Sequence, residues 1–249
     1  MTEKLQKILA SLGLGSRREI ERWIQQGRIS INTETEVAKQ GDRINRNAKV
    51  FLDGKLIKLK TAQPYKRRVL IYHKPEGEVC ARTDPENRPT VFSHLPPLKG
   101  ERWIMIGRLD ITTLGLLIFT NDGELAHRLA HPSYEVEREY AVRVLGEVDA
   151  NTLRRLKKGV RLEDGMAAFT RIEERGGESA NRWYHVVLKE GRNREVRRLW
   201  ESQGIQVSRL IRIRFGDISL PVDLRRGQWR ELTTDAIQRL LTLVNLHSN

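Results

Sequence analysis

Cysteine is almost absent from the 249-residue chain, where Cys80 stands alone. One thiol closes no intramolecular disulfide and supplies no thiolate set for zinc, which excludes a disulfide-stapled scaffold and a cysteine-based zinc module. Cys80 reads as a small core residue. Long apolar runs are missing too: no stretch approaches the roughly 18 residues that span a bilayer. The start, MTEKLQKILA, has neither the apolar segment nor the cleavage site of a secretory signal, so a cytoplasmic protein with no membrane partner is expected. No GxxxxGK[ST] loop and no Gly-rich dinucleotide fingerprint behind a strand can be found, which argues against nucleotide hydrolysis and dinucleotide redox chemistry. His127 and His131 have the i, i+4 spacing of a metal pair but lack the glutamate of HExxH and an evident third ligand, so no metal is expected.

Acidic charge is the remaining shortage. Against 45 Lys plus Arg the chain sets 32 Asp plus Glu, a net charge of +13. A folded protein with that surplus points to a polyanionic partner, and nucleic acid leads the candidates. With 39% apolar residues the chain can bury a core, as one large domain or a small and a medium one. A monomer is the default expectation.

Residues 1–60 read as a small separate unit. Leu5, Ile8, Leu9 and Leu12 follow the period of an amphipathic helix that ends near Gly13 and Gly15. Ser16 and Glu19 then have the spacing of a capping box for a second helix that buries Ile20, Trp23 and Ile24 and stops at Gly27. ISIN looks extended, and Asp53-Gly54 between two apolar triplets signals a β-hairpin. The unit holds 13 basic and 7 acidic residues, and Arg17, Arg18, Arg22 and Arg28 lie on or beside the second helix, as a phosphate-binding face would require. Its stretch EKLQKILASLGLGSRREIERWIQQGRISIN resembles the S-four-type RNA-binding domain, which implies RNA but no reaction.

Residues 61–67 are polar, contain a proline and read as a linker, so a larger domain should span 68–249. Its apolar runs VLIYHKP, RWIMIG, GLLIFT, EYAVRVLG and RWYHVVLKEG have strand length and composition. Helical patterns lie between them: one from Asp122 to Pro132, one from Asp149 to Gly159, one ending at Gly204. Strands with scattered helices, rather than regular βαβ alternation, predict an α+β fold on a mixed, mainly antiparallel sheet.

Residues 190–216 carry Arg192, Arg194, Arg197, Arg198, Arg209, Arg212 and Arg214 against three glutamates. Val196, Leu199 and Trp200 define a buried helix face, leaving Arg194, Arg197 and Arg198 near solvent. In RLIRIRF, period two places Ile211, Ile213 and Phe215 on one face and Arg212 and Arg214 on the other. Arginine suits phosphate because its planar fork donates two hydrogen bonds and stays charged, so this segment is expected to touch RNA.

GRLD, residues 107–110, falls between two strand patterns and should form a tight turn that brings Arg108 and Asp110 to a sheet edge. A structural ion pair accounts for it, and so does a working carboxylate. GRLD followed by GLLIFTNDG resembles the catalytic motif of the RsuA/RluB-family pseudouridine synthases. REYAVRV (138–144) and EGRNREVRRL (190–199) resemble that family's second and third motifs in the same order, and the likeness runs from Glu3 to about Leu241.

The resemblance implies detachment of a uracil from its ribose at N1 and reattachment at C5, with ribosomal RNA of the large subunit as partner. It assigns Asp110 to the ribose, either attacking C1′ or taking a proton from C2′. Tyr140 packs on the base and is a candidate for moving the C5 proton. Arg192 is the implied partner that keeps Asp110 ionised, with Arg194 as the alternative. Arg108 is implied to fill the space left by a flipped nucleotide or to hold its backbone. The isomerisation is redox-neutral and implies no cofactor. The rival readings are a non-catalytic RNA-binding assembly factor that uses the same basic surfaces and, within the enzyme class, the same reaction on another ribosomal RNA uridine.

Overall fold

The computed structural model describes residues 2–45, 47–59, 66–98, 100–178 and 181–246. The chain divides into two compact units, Met1–Arg67 with Pro97–Trp103, and Arg68–Pro96 with Ile104–Asn249. The segment from residue 68 onward is therefore interrupted: residues 97–103 group with the first unit. A cut drawn on composition marks where the chain turns polar and cannot register such an excursion. Most of the expected 61–67 linker lies outside the described residues.

The first unit contains β1 (Glu3–Lys4), α1 (Leu5–Ser11), α2 (Arg17–Gln25), β2 (Ile29–Ile31), β3 (Arg43–Ile44), β4 (Val50–Leu52) and β5 (Lys55–Ile57). Its core joins Leu5, Ile8 and Leu9 of α1 to Ile20 and Ile24 of α2 and to Ile29 and Val50 of the sheet, with Trp23 only partly buried against them. Helix α2 starts where its cap dictates. The Ser16 hydroxyl accepts from the Glu19 N–H at 3.1 Å, and the Glu19 carboxylate accepts from the Ser16 N–H at 3.2 Å. Ser16→Ala should lower the stability of this unit by about 1 kcal/mol, read as an earlier urea midpoint; an unchanged midpoint would show that packing alone sets the helix start. The Asp53-Gly54 turn has φ of +50° and +74°, the pair of positive values that a two-residue turn needs to match the strand twist.

The second unit is built on β6 (Val69–Lys74), β7 (Ile104–Ile106), β8 (Leu114–Thr120), β9 (Arg138–Leu145), β10 (Val160–Leu162), β11 (Gly165–Ala167), β12 (Arg171–Glu178), β13 (Asn181–Leu188), β14 (Gln206–Phe215), β15 (Ile218–Ser219) and β16 (Trp229–Glu231). A 9-stranded sheet runs β12-β13-β9-β14-β8-β6-β16, with β7 on β8 and β15 on β14. Among the described strands of this sheet, β14 and β8 alone pair in parallel and the other pairs are antiparallel. The fold is α+β on a mixed, mainly antiparallel sheet.

Helices α3 (Gly123–Ala130) and α6 (Thr234–Leu243) supply Leu125, Leu129, Leu240 and Leu241 to a core with Val69, Ile71, Leu116 and Ile118. Helix α3 begins at Asp122, whose carboxylate accepts from two backbone N–H groups, and α4 (Ala150–Lys158) begins at Asp149, whose carboxylate accepts from the Thr152 N–H. Helix α5 (Glu195–Glu201) places Trp200 against Tyr184 and Phe169. His127 and His131 have ring centroids 5.4 Å apart, and the described residues hold no cluster of three groups placed to bind a metal. Among the described residues no helix is long and apolar enough to cross a membrane.

Candidate active site

The turn between β7 and β8 separates its two charges. Arg108 is exposed and Asp110 is half-buried, and neither side chain forms an ion pair or hydrogen bond with a described residue. The backbone around Asp110 is held from beneath. Lys74, fully buried, donates from Nζ to the carbonyls of Pro75, Ile111 and Thr113 at 2.9, 3.2 and 3.0 Å, the last two on the residues that follow Asp110. Burial pushes the Lys74 ammonium down, opposed by the carboxylates of Glu78 and Asp110. The Cys80 sulfur accepts from the Leu109 N–H at 3.5 Å, and burial pushes its thiol up, so this half-buried residue packs beside the turn as a neutral group.

Strands β9 and β14 supply the facing wall. Tyr140 is 8% exposed, and Arg212, opposite it in the register, is 2% exposed. With Arg108, Asp110, Arg138, Arg192, Arg194 and Glu195 they line a cavity of about 370 Å³, within the size of small-ligand sites. Arg138 is buried, donates to the carbonyls of Val136 and Lys189, and lies over the Phe215 ring at 5.2 Å.

Several expected RNA contacts are occupied or buried. Arg197 is 9% exposed: it donates to the Val207 carbonyl at 3.0 Å and to the Thr112 hydroxyl at 3.2 Å, tying α5 to β14 and to the turn behind Asp110. Burial and then Arg194 push its guanidinium down, while Asp110 pulls it up. Arg212 is buried rather than on a solvent face, because its register opposite Tyr140 sets it on the inner face with Leu210; Ile213 is an extra residue in β14, so Arg214 pairs with Glu139. The bulge brings Phe215 to the face of Arg212, while Arg214 lies on the other, where it donates to Glu137 and Glu139. Arg198 is forked on Asp164 at 2.9 and 2.8 Å. Arg28 is forked on Asp53 and stacked over Trp23 at 5.3 Å. Arg17, Arg18 and Arg22 are exposed on α2.

Arg192 does not meet the expectation of a partner for Asp110. It donates to Glu190 at 2.5 Å and to the Met166 carbonyl at 2.9 Å and lies 3.5 Å from Asp164; the Glu190 hydrogen bond holds its pKa up. Arg194 is exposed at φ +49°, on the cavity rim, 3.5 Å from Glu201. The buried cations within electrostatic reach of Asp110 are Arg197 and Lys74. The sequence alone does not show either role: Lys74 precedes a proline in a strand and carries no motif signal of its own, and the helical period sets Arg197 among the solvent-facing arginines. Arg197→Met should keep the fold and cut turnover about 100-fold with little change in KM, read as tritium release from C5-labelled uridine in RNA; unimpaired turnover would leave Arg197 a purely structural tie.

A family model described as RNA pseudouridylate synthase matches residues 68–202, and one for the S4 domain matches residues 3–50. The Ribosomal large subunit pseudouridine synthase B of Yersinia pestis is 59% identical over 248 residues, 99% of this chain and 77% of that protein. The protein of that name from Haemophilus influenzae is 60% identical over 246 residues, 98% of this chain and 68% of the other. Among solved structures, a crystal structure of pseudouridylate synthase matches with a TM-score of 0.65 at 27% identity, covering 95% of this chain and 99% of that one. Family model, near full-length relatives and fold agree: this chain belongs to the RNA pseudouridylate synthase family.

Proposed function

We propose that this chain converts one uridine of large-subunit (23S) ribosomal RNA, in the peptidyl-transferase region, to pseudouridine, with Asp110 as the group that acts on the ribose. The observation that carries the reading is the Asp110 carboxylate, half-buried at a cavity, with buried cations nearby and no hydrogen-bonded partner of its own among the described residues. A charge so placed and left free is costly unless a substrate uses it. Relatives close to 60% identical that are named for the large ribosomal subunit support the choice of RNA.

A base stacked in a duplex cannot reach this cavity, so the nucleotide flips out at a cost of a few kcal/mol. Arg108, exposed and unpaired beside Asp110, fills the vacated space or holds the flipped backbone, while Arg17, Arg18 and Arg22 take phosphates further along the RNA. Tyr140 packs on the flipped base. Asp110 attacks C1′ or removes the C2′ proton; in both routes the N1–C1′ bond breaks and uracil departs with the electron pair. The ring turns in place and C5 bonds to C1′ as the Asp110 ester bond breaks or as Asp110 returns its proton to C2′. The C5 proton leaves through Tyr140 and N1 takes up a proton, so the isomerisation is balanced. Arg197 and Lys74 hold in place the turn that carries Asp110. No step calls for a cofactor, and the cytoplasm, where ribosomes assemble, is the compartment of action.

The test is pseudouridine mapping of ribosomal RNA from cells lacking the protein, rescued with wild type or Asp110→Asn. One large-subunit modification should vanish and return only with wild type. An unchanged map would favour a non-catalytic assembly factor, and loss at a small-subunit uridine would overturn the choice of RNA.

A further inference from the structure

We propose that Arg212 is the uracil-binding group of this pocket: its free guanidinium N–H donates to a pyrimidine carbonyl oxygen of the flipped base and stabilises the uracil anion while it is detached. The inference rests on the reading of the Asp110 cavity as the catalytic one.

Arg212 is among the largest fully buried side chains of the protein. One nitrogen of its fork is fixed, Nε donating to the Leu116 carbonyl at 2.7 Å, and the Phe215 ring lies 5.4 Å beneath the guanidinium. Nη2 is buried and has no hydrogen-bond partner among the described residues. Buried donors are almost always satisfied, and a permanent cation that buries a bare N–H has exchanged water for nothing. The residue lines the cavity across from Tyr140, on the same sheet face.

Local geometry is organised to put it there. The register of β14 sets Arg212 opposite Tyr140, and the bulge at Ile213 brings Phe215 to the same face. Gly115 lets the Arg212 backbone approach so closely that a Cβ would stand 2.3 Å from its carbonyl oxygen. Gly107 leaves the space beside Nη1 open.

The chemistry supplies what the guanidinium lacks. When N1–C1′ breaks, the electron pair spreads from N1 over O2 and O4 of the ring, and before the break those oxygens already accept hydrogen bonds. A fixed cation with a free donor, set in place before reaction, favours the charged ring over the neutral base and needs no reorganisation. The proton count of the isomerisation is unchanged, since Arg212 keeps its proton throughout.

The test uses the full-length protein and RNA hairpins that carry a single uridine, 2-thiouridine or 4-thiouridine at the mapped position, because sulfur accepts hydrogen bonds poorly. Wild type should process one of the two thio substrates about tenfold or more slowly in kcat/KM than uridine. Arg212→Lys, which cannot reach Leu116 and the base together, should have low kcat and process thio and oxygen substrates alike. Equal thio ratios in wild type and variant, or no discrimination by wild type, overturns the proposal. Arg212→Gln is read the same way if the lysine variant does not fold. The guanidinium nitrogen NMR signals of wild type, which should shift on binding hairpin RNA that carries 5-fluorouridine, report if neither variant folds; unmoved signals overturn the proposal. Asp110→Asn measured in parallel separates the two readings. An active Asp110→Asn protein defeats the catalytic assignment of the cavity, whereas an inactive one beside wild-type thio ratios in Arg212→Lys defeats only the role of Arg212.

Discussion

Asp110→Asn should abolish pseudouridine formation, by about 10⁴-fold or more, in a protein that folds and binds RNA as wild type does. The reason lies in what the carboxylate does not do. It makes no hydrogen bond or ion pair with a described residue, so its conversion to an amide orphans no partner. The stability change should stay within about 0.5 kcal/mol. RNA affinity should hold or tighten slightly, since a negative charge near phosphate has been removed. Tritium release, filter binding and thermal melting read the three quantities. Release at a tenth of the wild-type rate would sink the assignment, and a large drop in melting temperature would reveal a structural role that the geometry does not contain.

Gly115→Ala should cost the second unit about 3–5 kcal/mol or prevent its folding. Gly115 has φ of +107°, where side-chain-bearing residues are strained, and a Cβ there would stand 2.3 Å from the Arg212 oxygen and 2.7 Å from its nitrogen. Both obstacles are backbone atoms of the parallel β8–β14 pair, which cannot swing away as a side-chain tip would. Gly54→Ala is the control. It shares positive φ, +74°, but meets open space, so only the conformational term of about 1 kcal/mol remains. Equal losses at the two sites would mean that close approach at Gly115 relaxes easily. Any soluble Gly115→Ala protein should be poorly active, because the same contact seats Arg212.

What the sequence reveals depends on how local the cause is. The start of α2 is written in Ser16 and Glu19, three residues apart, and the β4–β5 turn in two adjacent residues. Asp110 and Tyr140 carried motif signals, and both line the cavity. The arginines were harder to read because charge in a sequence names no partner. Arg212 is held by a carbonyl 96 residues away and Arg214 by a carboxylate 75 residues away. Arg192 and Arg197 exchange their expected places for the same reason: Arg192 reaches Asp164 and Met166 of the β10–β11 hairpin, and that separation of about 26 residues cannot be seen in the EGRNREVRR motif.

Strand β14 contains two surplus residues, Ser208 and Ile213, against the eight β9 positions that it pairs. Chain length within this strand therefore follows an unusual rule. Losing Ile213 would leave Arg214 opposite Glu139 and Phe215 opposite Arg138, every remaining side chain facing as before, while losing Ile211 would exchange inside for outside on one flank. Gaps in related sequences are thus expected to gather at these two positions, and an insertion or deletion elsewhere in 206–215 would act as a frameshift read by the sheet, delivering the wrong residues to the cavity with the reading frame of the gene intact.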